Sequence, residues 1–357
     1  MLNWTAGLNR AWRRNRLLLL GLVTVALVPG LAEPSGIARS AAGLDVAGNE
    51  AGRSSQWIER PPLRHARGGL GVAKVGGQIL AIGGFDEVDV FDVVEARRVA
   101  GVGRWRDLAP MQTARANFAT AVLHELVYVV GGLNEEADLD VVETYNPRSG
   151  RWATSVPLPQ WRVGAGAAAL GGLLYVAGGE IPLGVDDLEV TNSVVVYNPK
   201  KKTWTSVAPV PTARTRLRLV ASGRYLYAIG GRDPSGQPLT AVERYDPRSN
   251  SWRTLSPMHE SRLLPCVVET RVGERRVLVV VAGGGSTFGR RTTEVFDPDT
   301  GRWTLLDVLL PHDRVSHDCA TEADGTVLAI GGITPISGAP TFLANVDALS
   351  LKPRDLR

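Results

Sequence analysis

Six short apolar runs, each closed by a pair of glycines, constrain this chain more than any other feature. The pairs begin at Gly83, Gly131, Gly178, Gly230, Gly283 and Gly331. Each run, such as Val127-Tyr128-Val129-Val130 or Val327-Leu328-Ala329-Ile330, has the uninterrupted apolar character of a strand buried on both faces. A period of roughly fifty residues signals a repeat architecture. At 357 residues the length alone allows one large domain or two ordinary ones, and the repeats decide for one closed array.

Tryptophans keep the same beat, at Trp57, Trp105, Trp152, Trp204, Trp252 and Trp303. A glycine pair begins 26 residues after each of the first four, 31 after Trp252 and 28 after Trp303. Between pair and tryptophan come Tyr145-Asn146-Pro147, Tyr197-Asn198-Pro199, Tyr245-Asp246-Pro247 and Phe296-Asp297-Pro298, each aromatic preceding its tryptophan by seven residues. Asn or Asp before Pro is turn chemistry, because the short side chain bonds locally and Pro fixes its own backbone angle. Each repeat therefore reads as four short antiparallel strands, and six of them describe an all-β, six-bladed propeller.

Glycine pair, Tyr-Asp-Pro-like turn and spaced tryptophan together resemble Kelch repeats, over about residues 55 to 351. The paired glycines are expected to let an aromatic from a neighbouring strand lie close on the backbone, and the tryptophans to supply buried area. The first repeat departs with Phe91-Asp92-Val93, and the last has Val346-Asp347-Ala348 with no tryptophan after it. Trp57 conversely precedes the first pair with no blade of its own. The strand around Gln56-Trp57-Ile58 is therefore expected to close the last blade, removing the exposed edges that invite aggregation.

Outside the array, residues 1–32 read as a signal peptide. Arg10, Arg13, Arg14 and Arg16 lead an apolar run from Leu17 to Val28, then Pro29-Gly30-Leu31-Ala32 offers a small-residue cut. The run is too short for a stable membrane span, which needs about 20 residues, so export to the periplasm or outside the cell is expected. Residues 33–54 read as a flexible lead-in and 352–357 as a C-terminal tail. The formal charge of +4 falls to zero without those four arginines, so nothing electrostatic draws the remainder to nucleic acid or an anionic membrane. Cys266 and Cys319 lie four and five places after their repeats' arginines, a parity expected to point them to opposite faces as two separate thiols.

The loops after the glycine pairs vary most, which marks their face as the recognition surface. An arginine stands ten places after a tryptophan at Arg67, Arg115, Arg162, Arg214 and Arg262, and eleven after Trp303 at Arg314. Each precedes the innermost strand, so the six should converge on the channel mouth. There they either bond carbonyls and a carboxylate of the adjoining blade, with Glu143, Glu243 and Glu294 as candidates, or form an anion-receiving ring. The Kelch resemblance implies the ring, since arginines at similar positions contact acidic peptides in that family.

His65, His259, His312 and His317 lie near the same mouth, where imidazole and carboxylate could hold a transition metal. The resemblance extends to copper-dependent galactose oxidases, but their crosslinked tyrosine has no counterpart here. It extends also to sialic acid mutarotases, whose chemistry would need a carboxylate beside arginine. Asp186, Asp187 and Glu189, in the longest loop beside Trp161 and Arg162, are the candidates. The reading that results is an exported, monomeric, non-catalytic binding module without cofactor. Its ligand is a protein, peptide or glycan of acidic character, and a sugar-active enzyme is the alternative.

Overall fold

The glycine-closed runs form second strands because each pairs on both sides. In blade 2, Leu126–Val130 lies between Ala119–Leu123 and Val142–Asn146, and Arg151–Thr154 completes the sheet. Six such four-stranded antiparallel sheets make the propeller. The seven-residue aromatic spacing is a cross-strand pair: Tyr145 opposes Trp152 with ring centroids 5.1 Å apart. Apolar side chains fill the space between blades, as where Leu80, Ile82 and Val94 of blade 1 meet Val127, Val129 and Tyr145 of blade 2. The computed structural model describes residues 55–101, 103–183, 188–285, 289–334 and 340–356. The segments read as signal and lead-in, together with Asp186 and Asp187, lie outside the described residues. Among the described residues no helix is long and apolar enough to cross a membrane.

The last blade closes as expected. Asp318–Thr321, Val327–Ile330 and Val346–Leu349 are joined by Trp57–Arg60, with Trp57 opposite Leu349. The Ser55 hydroxyl donates to the Ser350 carbonyl at 2.9 Å and pins the entering chain.

At Gly83 the expected aromatic does lie close, a Phe118 ring carbon standing 2.9 Å from where a Cβ would be, but the use common to the glycine pairs is a backbone contact. The second glycine of each blade donates its N–H to the backbone carbonyl of the next blade's arginine: Gly84 to Arg115 at 2.9 Å, Gly132 to Arg162 at 2.9 Å, Gly179 to Arg214 at 2.9 Å and Gly231 to Arg262 at 2.8 Å. Gly332 to Arg67, at 2.8 Å, carries the chain of bonds across the closure. A Cβ on Gly132 would come within 2.7 Å of the Ala116 carbonyl, at a φ of +91°, so the position demands glycine. Repeat 5 is shifted by one residue. Its pair is Ala282-Gly283, since Ala282 takes the left-handed conformation (φ +50°) and Gly283 donates to Arg314 at 3.2 Å. The insertion sits in a longer first hairpin, Cys266–Val272 with Arg275–Val281.

The cysteines are not separate thiols. Cys266 and Cys319 form a disulfide, with Cα atoms 5.6 Å apart. The opposite parity that argued against pairing is what permits it. In a propeller the next-facing side of one sheet looks at the previous-facing side of its neighbour, so residues on opposite faces of adjacent blades meet.

Candidate functional site

Every one of the six arginines is turned into its own blade, and none lines the channel mouth. Arg67, Arg115, Arg214, Arg262 and Arg314 are fully buried and Arg162 is 3% exposed. Arg115 shows the pattern. One terminal nitrogen donates to the Gly131 carbonyl at 3.0 Å and the Val141 carbonyl at 2.9 Å, and the other to Glu143 at 2.5 Å. Arg214 repeats it with Gly230, Ala241 and Glu243, and Arg262 with Ala282, Thr292 and Glu294. Arg67 pairs with Glu95, and Arg314 with Asp347. Of the two readings, the internal one holds, with Glu143, Glu243 and Glu294 as the carboxylate partners, and the anion-receiving ring does not form. The carbonyl of the turn residue, as at Gly131, has no backbone partner, while the second carbonyl, as at Val141, accepts one backbone N–H from Gly131; a guanidinium with several donors satisfies what is left inside the protein.

Blade 3 lacks the acid. Val195 stands where blade 2 has Glu143, and Arg162 bonds the Gly178 carbonyl at 2.7 Å, the Ser193 carbonyl at 3.2 Å and the Ser193 hydroxyl at 3.0 Å. Burial alone lowers the Arg162 pKa to about 10. In the other blades burial also lowers the arginine, but a carboxylate opposes it, as Glu95 does for Arg67 and Glu143 for Arg115. Burial pushes Glu95 up, yet the charge of Arg67 and hydrogen bonds from Arg67, the Arg64 N–H and His65 outweigh it and hold the carboxyl below its usual range. At Asp347 the balance reverses, and burial raises the carboxyl despite Arg314.

The histidines do not converge. The Nδ1 atoms of His65 and His259 lie 3.3 Å from Glu95 and 2.9 Å from Glu294, two of the acids that neutralise arginines. His312 lies near Asp347. Only His317 lies in a metal-competent group among the described residues, with Cys266 and Cys319.

The channel is built from residues that the arginine beat hides. One place after each arginine, Gly68, Ala116, Val163, Thr215, Leu263 and Val315 bridge to the residue that follows the glycine turn: Phe85, Leu133, Glu180, Arg232, Gly284 and Ile333. Four blades thereby fill the mouth with an apolar cluster that includes Phe85, Leu133, Val163 and Ile333, with Trp161 packed against it. On the remaining side Arg232 pairs with Glu180 at 3.0 Å. Two places after each arginine, Gly69, Asn117, Gly164, Arg216, Leu264 and Ser316 all adopt left-handed φ between 52° and 66°. They link head to tail around the axis: Gly69 N–H to the Ser316 carbonyl (2.8 Å), Asn117 to Gly69 (3.0 Å), Gly164 to Asn117 (2.9 Å), Arg216 to Gly164 (2.6 Å) and Leu264 to Arg216 (3.2 Å). Below this collar Arg218 reaches across the axis to Asp318 and is brought to about 10 by burial. The axial cavity left among these groups is about 50 Å³.

Exposed charge on the loop face is acidic over half the ring. The described parts of the loops at 85–92, 133–140 and 180–190 contain no Lys or Arg and carry exposed Asp89, Glu136, Asp140 and Glu189. Val88, Leu183 and Leu188 are the exposed apolar side chains there, the two leucines flanking the end of the hairpin Glu180–Pro182 with Leu188–Val190.

Comparison with known proteins agrees with this architecture. A family model described as the KLHDC2/KLHL20/DRC7 Kelch-repeats domain matches residues 69–272 and again 117–332. Kelch-like protein 35 of Mus musculus is 30% identical over 149 residues, covering 40% of this chain and 24% of that protein. Kelch-like protein 34 of Homo sapiens is 31% identical over 156 residues, covering 40% and 23%. The chain thus spans about a quarter of the length of these curated relatives. A solved structure titled "Structure of YjhT" superposes with a TM-score of 0.70 at 16% identity, over 83% of this chain and 98% of that one, which is a likeness of fold.

Proposed function

The chain belongs to the Kelch-repeat family, and from that premise we propose that it is a non-catalytic module that binds a protein partner through the face carrying the loops after the glycine turns. The observation that carries the reading is the contrast between the two parts of this face. The channel mouth is filled by its own apolar cluster, while the surrounding loops expose Val88, Leu183 and Leu188 among acids. Apolar anchors within a polar rim suit a protein surface. The charge expected of the partner is inverted relative to an arginine-lined mouth, because those arginines are buried and the exposed charges on the described loops at 85–92, 133–140 and 180–190 are acidic. A partner presenting a basic segment fits.

The sugar-enzyme alternative finds less support. Glu180 and Arg232 do set a carboxylate beside an arginine, but they pair with each other, and the axial cavity of about 50 Å³ is far below the roughly 300 Å³ at which small-molecule sites begin. Export, on the pattern of residues 1–32, belongs to the same proposal and is tested by N-terminal sequencing of the mature protein.

Capture on immobilised peptide arrays at low and high salt tests the binding reading. Lysine- and arginine-rich peptides should be retained, with retention falling as salt screens the contact. The combined reversal Asp89→Lys, Glu136→Lys and Glu189→Lys should abolish it without lowering the melting temperature. Retention of glutamate-rich peptides instead would overturn the proposal.

A further inference from the structure

The disulfide between blades 5 and 6 has a neighbour that a purely structural crosslink does not need. His317 stands two residues before Cys319 and is 6% exposed, and neither ring nitrogen has a hydrogen-bond partner of good geometry. One ligand atom each from Cys266, His317 and Cys319 lies within 4.8 Å of the others. Two come from the inner edge of blade 6, and Cys266 faces them from blade 5.

Metal chemistry fits this trio in three respects. Two thiolates and a neutral imidazole are a ligand set for zinc, which takes three protein ligands and leaves a fourth position open where water is to bind. His317 lines the axial cavity, whose volume of about 50 Å³ has room for a water at that position. Charge also balances: a divalent ion with two thiolates is neutral, as a buried group must be. The cations that face the site, Arg218, Arg262 and Arg314, are each already paired, with Asp318, Glu294 and Asp347.

We propose that, once the Cys266–Cys319 disulfide is reduced, Cys266, Cys319 and His317 bind one zinc ion, so that the seam between blades 5 and 6 is clasped in both redox states. A dithiol reductant supplies two electrons and two protons to the disulfide and is itself oxidised to a disulfide. Zinc then displaces both thiol protons to solvent and accepts an unprotonated ring nitrogen of His317. Blade 5 and blade 6 are held by a covalent bond in one state and by a shared ion in the other.

The test uses the full chain, reduced anaerobically by a dithiol and freed of reductant, with Zn²⁺ as the ligand and Co²⁺ as its spectroscopic substitute. The reduced protein should retain one equivalent of zinc through gel filtration, and cobalt should give a thiolate charge-transfer band. The oxidised protein should show neither. His317→Ala should weaken binding by more than the roughly 10- to 100-fold lost when only a group behind a ligand is removed. Zinc should also slow alkylation of the two thiols in the unmutated protein, a readout that does not depend on any variant folding. The proposal is overturned if reduced protein holds no zinc and its thiols react equally fast with and without the ion. It is overturned equally if oxidised protein or folded His317→Ala binds as tightly as the reduced parent.

Discussion

Blades 2 and 3 place the same arginine in the same socket, and only blade 2 supplies a carboxylate. Arg115 and Arg162 both donate to the carbonyl of their blade's first glycine, Gly131 at 3.0 Å and Gly178 at 2.7 Å. Each arginine's own carbonyl accepts from the preceding blade, Arg115 from Gly84 and Arg162 from Gly132. Blade 3 keeps all of this with Val195 in place of an acid. What the position requires is therefore a multi-donor side chain that satisfies turn carbonyls, and the acid neutralises the charge that this brings inside. The recurrence of arginine follows from architecture, which leaves the proposed binding to the loops outside the ring.

The largest effect tests the frame within which the blades are compared. Blades 2 and 3 are continuous in sequence and blade 6 borrows Trp57–Arg60, so deleting residues 55–60 should abolish the folded monomer. Chromatography with circular dichroism checks this, and a monomeric, thermally unchanged truncation would contradict the closure. Next in size, Arg115→Met should cost about 3–5 kcal/mol in chemical denaturation, because it strands Glu143 in the interior. Arg162→Met strands no acid and should cost only about 1–3 kcal/mol, from the Gly178 carbonyl left unpaired. Equal costs would break the comparison.

Acid provides a second contrast. Glu95 has a folded pKa below its ordinary value of 4.5, so its ionised form stabilises the fold above that value, and the contribution is lost as pH falls through the folded pKa. The destabilisation caused by Glu95→Gln should accordingly shrink between neutral pH and strongly acidic solution. That caused by Arg162→Met should stay flat over the same range, since no carboxylate pairs there. The smallest effect concerns the axial collar. Leu264 holds a φ of +52° where blades 1 and 3 use glycine, and Leu264→Gly should be neutral or stabilising by up to about 1 kcal/mol.

The fold was legible because its signals are local and repeated. A glycine pair with positive φ, an Asn-Pro or Asp-Pro turn and a tryptophan opposite a tyrosine each leave a mark within one repeat. Blade 6 was legible from an unmatched tryptophan. The site was less so, because burial depends on contacts between repeats. Three of the arginines' partners were legible: Glu143, Glu243 and Glu294 each stand two residues before the repeat aromatic, inside an apolar strand where an unpaired acid could not stay. The cysteines were misread for want of the propeller's geometry, in which facing sheets reverse the parity argument. The axial collar left no mark to read, since Asn117, Arg216, Leu264 and Ser316 share a conformation but no chemistry.

A double-mutant cycle at Arg115 and Glu143, read by chemical denaturation, tests the central claim that the ring of arginines is structural. Each single replacement, Arg115→Met or Glu143→Leu, should destabilise by about 3–5 kcal/mol, and the double replacement should recover much of that loss, because an apolar pair of similar volume leaves no buried charge alone. Single replacements that leave stability within about 0.5 kcal/mol, as surface positions do, would contradict the account and return these arginines to the ligand.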